Sequence, residues 1–169
     1  SQIGAGVSPS ASVSDLGSGS GSLEVVLDVP GAADLSAFDV DPAISITVFG
    51  SRGDDAISGS GIGDTIRADA GTDTVNGNGG ADTFLVSGTA AEFDAINGGA
   101  ATDTLFVEGG SPLTLNGFNA AAQAIEVWDG NGQALLGNGN ANVFTLAGLA
   151  SMSGLASIDG LGGDDTIEG

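Results

Sequence analysis

GSRGDDAIS (50–58), GSGIGDTIR (59–67), ADAGTDTVN (68–76) and GNGGADTFL (77–85) follow one another without a break, and each has Asp at its sixth position and an apolar residue at its eighth. That phase puts Asp55, Asp64, Asp73 and Asp82 in one series and Ile57, Ile66, Val75 and Phe84 in another. A glycine-rich hexapeptide followed by a three-residue strand lets the chain turn sharply, run briefly as β and turn again. Two units then complete one winding of about 18 residues, and parallel stacking sets each residue over its counterpart two units on, about 4.8 Å away. Asp55 is thereby expected near Asp73, and Asp64 near Asp82. Bare carboxylates at that range repel and raise each other's pKa, whereas a divalent cation between them makes the contact attractive. Carbonyls of the turns complete a shell of about six to eight oxygens. Acids of a merely solvated face would not keep the sixth position four times running beside a fixed apolar series.

Composition narrows the chemistry further. The chain has 22 acidic residues against two basic ones, Arg52 and Arg67, for a formal net charge of -20. A compact body with that charge repels itself unless something neutralises it. With no His and no Cys, zinc and copper lack their preferred ligands, which leaves carboxylates and carbonyls, the donors that suit calcium. So few cations exclude a nucleic-acid partner and disfavour an anionic membrane. No apolar run approaches the roughly 20 residues that span a bilayer, so no membrane insertion is expected. With 31 glycines and 5% aromatic residues, a thick globular core is hard to build and a narrow, elongated one is expected.

Residues 1–22 are rich in Ser, Gly and Ala and read as a flexible lead. Their opening, SQIGAGVSPSASVSD, has neither the basic start nor the apolar run of a secretory signal and no initiator Met, so a fragment or a processed chain is expected. Residues 23–169 read as a single elongated solenoid. Leu23 to Val29 and Ile44 to Phe49 are β-branched, apolar strands ahead of the tandem units at 50–85. Across 86–159 the frame is degenerate: GGAATDTLF (98–106) restores Asp103, and GNGNANVFT (137–145) has Asn142 where Asp belongs. GLGGDDTIE (160–168) is a full copy with Asp165, and Gly169 would open a further unit, so the array is expected to continue. Loops inserted in some windings account for the uneven spacing. Asn119 to Trp128 is either a short helix or a coil leading into a strand, and Phe118 and Trp128 read as core plugs.

The units resemble the hemolysin-type calcium-binding repeat, the RTX nonapeptide GGxGxDxUx. The resemblance covers about a quarter of the chain in the four tandem copies and GLGGDDTIE, and about half with the degenerate copies. It implies an all-β, right-handed parallel β-solenoid, the RTX β-roll, here with irregular loop-bearing coils. It also implies Ca2+ between windings, folding on meeting extracellular calcium, and type I secretion. Carried over by position, the ligands are Asp55, Asp64, Asp73 and Asp82, with carbonyls around Gly53, Gly61, Gly71 and Gly80, and with Asp103 and Asp165 as single-sided ligands. Asn142 would bind more weakly because it brings no charge. The chain departs from the pattern at the second position (Ser51, Ser60, Asp69, Asn78), at Ala68 in a first position and at Ile62 in a fourth.

Catalysis is not expected, because without His, Cys, Lys or Tyr only carboxylate pairs remain for acid and base work. Two functional readings stand. One is a secreted, calcium-stiffened spacer of an adhesin or surface-layer protein, meeting a cell surface, a polysaccharide or other domains of its own chain. The other is a C-terminal folding and export module of a type I-secreted protease, lipase or polysaccharide epimerase or lyase. An ice-binding face, suggested by TDT at 72–74 and 102–104, is set aside because its Asp lies in ligand phase.

Overall fold

A computed structural model of the chain describes residues 2–3, 20–89, 91 and 93–169. Short β-branched and apolar runs bounded by glycine turns form strands that all pair in parallel. The described chain is an all-β solenoid of about six turns. Most of the Ser/Gly-rich lead lies outside the described residues; within it, β1 (Gln2–Ile3) pairs with the next strand in register with Glu24 and Val25.

In the first half each winding contributes two strands. These are β2 (Gly21–Val26) with β3 (Ala32–Asp34), β4 (Ile44–Phe49) with β5 (Ala56–Ser58), β6 (Asp64–Arg67) with β7 (Thr74–Asn76), and β8 (Thr83–Val86) with β9 (Ala95–Asn97). In the second half each winding contributes three: β10 (Thr104–Val107), β11 (Leu113–Thr114) and β12 (Phe118–Asn119), then β13 (Val127–Asp129), β14 (Leu135–Leu136) and β15 (Val143–Thr145), then β16 (Ser151–Ser153), β17 (Ile158–Asp159) and β18 (Thr166–Glu168). The first strand of every winding joins one 8-stranded sheet, β1-β2-β4-β6-β8-β10-β13-β16. The second strands form the sheet β3-β5-β7-β9, which gives way to β11-β14-β17 and β12-β15-β18.

Register confirms the winding length where the tandem units run. Ile46 lies opposite Asp64, Thr65 opposite Thr83 and Ile57 opposite Val75. Elsewhere the windings lengthen, as inserted loops require: Thr83 lies opposite Thr104, Thr104 opposite Val127 and Phe118 opposite Phe144.

The core is a file of inward residues from successive strands, with Val48, Ile66, Phe84, Leu105 and Trp128 all 1% exposed or less. A uniformly narrow interior does not hold throughout. With three strands per winding, the second half closes around larger side chains. Trp128 meets Phe118 edge-on at 5.2 Å, and Leu113, Ile125, Leu135 and Phe144 are fully buried. Both aromatic residues are the core plugs that the sequence suggests. Asn119 to Trp128 divides between its two readings. Helix α1 (Ala120–Gln123) is capped by the Asn119 side chain accepting from Ala122 N and ends at Ala124 in a left-handed conformation, before the chain enters β13. Among the described residues no helix is long and apolar enough to cross a membrane.

Arg67, one of two cations in the chain, fastens several windings from outside. Its guanidinium lies 5.4 Å from the centre of the Phe49 ring in the winding below. It also donates to both carboxylate oxygens of Glu108, at 2.8 and 2.6 Å, two windings above. The pair is about a third exposed, so its contribution is about 1 kcal/mol. Arg67→Ala is expected to lower the thermal midpoint by about 2–4 °C, and an unchanged melt would show that the clasp contributes nothing.

Candidate metal centre: buried columns of acids

Each acid that leads into a strand turns inward and stacks under the corresponding acid of the next winding. In the first column Asp55 N donates to Asp73 Oδ1 at 2.7 Å, and Asp73 N to Asp94 Oδ1 at 2.9 Å. In the second, Asp64 N donates to Asp82 Oδ1 at 2.8 Å, Asp82 N to Asp103 Oδ1 at 2.8 Å and Asp103 N to Glu126 Oε2 at 2.9 Å. Below Asp55, Gly31 N makes the same bond to Asp55 Oδ1 at 2.7 Å although Gly31 brings no acid. Asp55, Asp64, Asp73, Asp82 and Asp103 are all 3% exposed or less, so the acids are interior groups and not a solvated face. Asp165 is half-buried and stacks on Asn142 in a separate column.

Burial has an electrostatic consequence. Loss of hydration pushes Asp82 and Asp94 up to about 7, with neighbouring carboxylates adding to the rise. The same cause raises Asp64, Asp73 and Asp103. On Asp73, Asp82 and Asp103 the second oxygen, Oδ2, is buried with no hydrogen-bond partner, a costly arrangement for a charged acceptor.

The turns explain how the consensus glycines are replaced. Ser51 and Ser60 close their turns through Oγ, which accepts from the N–H two residues on, at 3.2 Å in each case. Asp69 and Asn78 take left-handed φ of 69° and 71°, which these two residue types tolerate better than most. Of the four glycines carried over as carbonyl donors, Gly71 stacks over Gly53. Gly61 and Gly80 are out of phase: Gly79 lies over Gly61, while Gly80, at φ 97°, packs on Ile62 and Gly63. The offset follows from position, since Gly61 sits in the third place of its unit and Gly53, Gly71 and Gly80 in the fourth.

Asp94 and Glu126 are column members that the nine-residue frame misses. A shorter signal finds both. Asp94-Ala95-Ile96 and Glu126-Val127-Trp128 keep the acid-x-apolar triplet of Asp55-Ala56-Ile57 while the preceding loop changes length.

The donor set, carboxylates and backbone carbonyls, fits a hard cation, and the partnerless Oδ2 atoms are the groups such an ion would satisfy. Among the described residues no three acidic side chains converge on one point, because the columns space them along the axis. An ion would therefore be held by carboxylates of adjacent windings together with turn carbonyls.

The chain is thus a parallel β-solenoid whose windings stack buried carboxylates in register. Residues 49–84 and 91–112 match the family described as RTX calcium-binding nonapeptide repeat (4 copies). No curated protein and no solved structure matched the chain.

Proposed function

We propose that the chain is the calcium-dependent structural module of a secreted protein, serving as a stiffened spacer of the adhesin or surface-layer type. In this reading Asp55, Asp73 and Asp94 on one side, and Asp64, Asp82 and Asp103 on the other, hold Ca2+ with turn carbonyls such as those of Gly53, Gly61, Gly71 and Gly80, and Asp165 contributes a single-sided ligand. The ion supplies positive charge between windings. The chain supplies the fixed pitch that brings two carboxylates to it. The observation that carries the reading is the buried, partnerless Oδ2 of Asp73, Asp82 and Asp103 in a stacked register. The same groups support a structural role, since among the described residues every buried acid is engaged by a backbone N–H and the sequence holds no His, Cys, Lys or Tyr.

Because calcium binds the folded array and not the unfolded chain, each site adds RT ln(1 + [L]/Kd) to stability. Adding calcium to the chelated protein at pH 7.5 is expected to build β signal in circular dichroism over residues 50–106, and magnesium at equal concentration is expected to do so far less. A β spectrum indifferent to excess chelator overturns the reading.

A further inference from the structure

Beyond the two acid columns stands a third, in which two of the three members are amides. Phe118 lies opposite Phe144 and Phe144 opposite Ile167. This sets Asn116, Asn142 and Asp165 in the place that the acids hold elsewhere. Asn142 is fully buried. Its Oδ1 accepts from Asn138 N at 2.9 Å, as Asp64 Oδ2 accepts from Ser60 N at 2.6 Å. Its Nδ2 does what no carboxylate can, donating to the Asn116 carbonyl in the winding below at 2.9 Å and to Asn138 Oδ1 at 3.3 Å. Both side-chain polar atoms of Asn142 are therefore paired, whereas Asp73, Asp82 and Asp103 each leave one oxygen without a partner.

Two further observations point the same way. Every fully buried acid among the described residues lies between Asp55 and Asp103, and above Glu126 the second column ends, where Ala150 N donates to the Glu126 carbonyl. Around the Asn116–Asn142 column large apolar side chains are buried, with Phe118, Ile125, Trp128, Leu135 and Phe144 each 3% exposed or less.

We propose that the Asn116–Asn142 column stands in for the metal ion, so that the windings from Leu113 to Thr145 hold their fold without calcium and give the acidic array a fixed base on which to order. The proposal rests on the calcium reading of the acid columns. It divides the solenoid into a metal-dependent stack and a metal-independent base.

Hydrogen exchange on the full chain at pH 7.5 tests it, with emission of the single tryptophan, Trp128, as a second readout. In excess chelator the amides of β13, β14 and β15 are expected to be protected while those of β5 to β8 exchange freely, and Trp128 emission is expected to stay blue-shifted. Calcium at a hundred times its Kd is expected to raise protection in the array by about 100-fold and in the base by less than about 3-fold. Asn142→Asp is expected to unfold the base in chelator and to recover it in calcium. Asp82→Asn is expected to do the converse, gaining protection around β6 and β8 in chelator. Protection lost across both halves in chelator and restored by calcium overturns the proposal and leaves the calcium reading standing. Protection in both halves whatever the calcium level overturns both. Asn142→Asp behaving as wild type in chelator overturns the proposal. Should that variant stay unfolded even in calcium, Asp82→Asn decides, and no gain in chelator overturns the proposal.

Discussion

Gly77→Ala is expected to break the array even at saturating calcium. A Cβ at position 77 would press on Asp82 Oδ2 and on the Gly98 carbonyl oxygen, and would stand 2.9 Å from Asp82 Cγ. The Asp82 carboxylate has nowhere to go, because it is 1% exposed and holds the Asp64 N–H at 2.8 Å. Displacing it loses a buried charge-assisted hydrogen bond, about 1–3 kcal/mol, and parting the windings adds a similar overpacking term. The sum, about 2–6 kcal/mol, is a large share of the roughly 5–15 kcal/mol that a domain has. The melting midpoint is expected to fall by about 10 °C or more. Gly61→Ala is the control. A Cβ there meets nothing within 4 Å, so that variant should melt within about 2 °C of wild type. Equal melting of the two variants would refute the close approach of the windings.

The same contact accounts for the one unit that lacks this glycine. Ala68 occupies the position of Gly50, Gly59 and Gly77, and a Cβ on Gly50 would collide with its backbone. Above Ala68, however, the winding is longer. Asp73 meets Asp94 across 21 residues and not 18, and a small cavity is bordered by Ala68, Val86, Ala91 and Asp94. Ala68 borders that cavity, which leaves its methyl group room that a Cβ on Gly77 would lack.

The repeat was legible because two periodicities coincide. An acid held in phase with an apolar residue two places on fixes both the inward turn and the stacking partner, and the offset of 18 between Asp55 and Asp73 and between Asp64 and Asp82 follows directly. Asp94 and Glu126 stayed hidden because a nine-residue frame counts loop length, whereas strand pairing constrains only the acid-x-apolar triplet. The change from two to three strands per winding was not legible either. β11, β12, β14 and β17 are two residues each, too short for a period of two to register, and they persist because Leu113, Phe118 and Leu135 are buried by tertiary packing. Asn142 shows the limit of reading ligands by type. As a metal ligand it is a weakened Asp; as a buried amide it donates where an acid cannot.

Protons and calcium are expected to be interchangeable in holding the array together. In the metal-free fold Asp82 and Asp94 titrate at about 7, chiefly because burial strips their hydration and secondarily because Asp64 and Asp103 flank Asp82 and Asp73 flanks Asp94. In the unfolded chain such groups titrate near about 3.9. The folded form therefore binds more protons between these values. Its stability is fully present below about pH 4 and is lost as pH rises through about 7, by about 4 kcal/mol for Asp82 once it is fully ionised. In chelator, β signal from the array is expected at pH 5 and its loss at pH 8, where calcium restores it. Calorimetric titration at pH 6.5 in buffers of different ionisation enthalpy is expected to show protons released on calcium binding, and at pH 8.5 to show almost none. Acid loading and metal loading would then be alternative ways of removing the same buried charge. A chelated spectrum that does not change between pH 5 and pH 8, or calcium binding without proton release at pH 6.5, would show that the columns are ionised and satisfied without either.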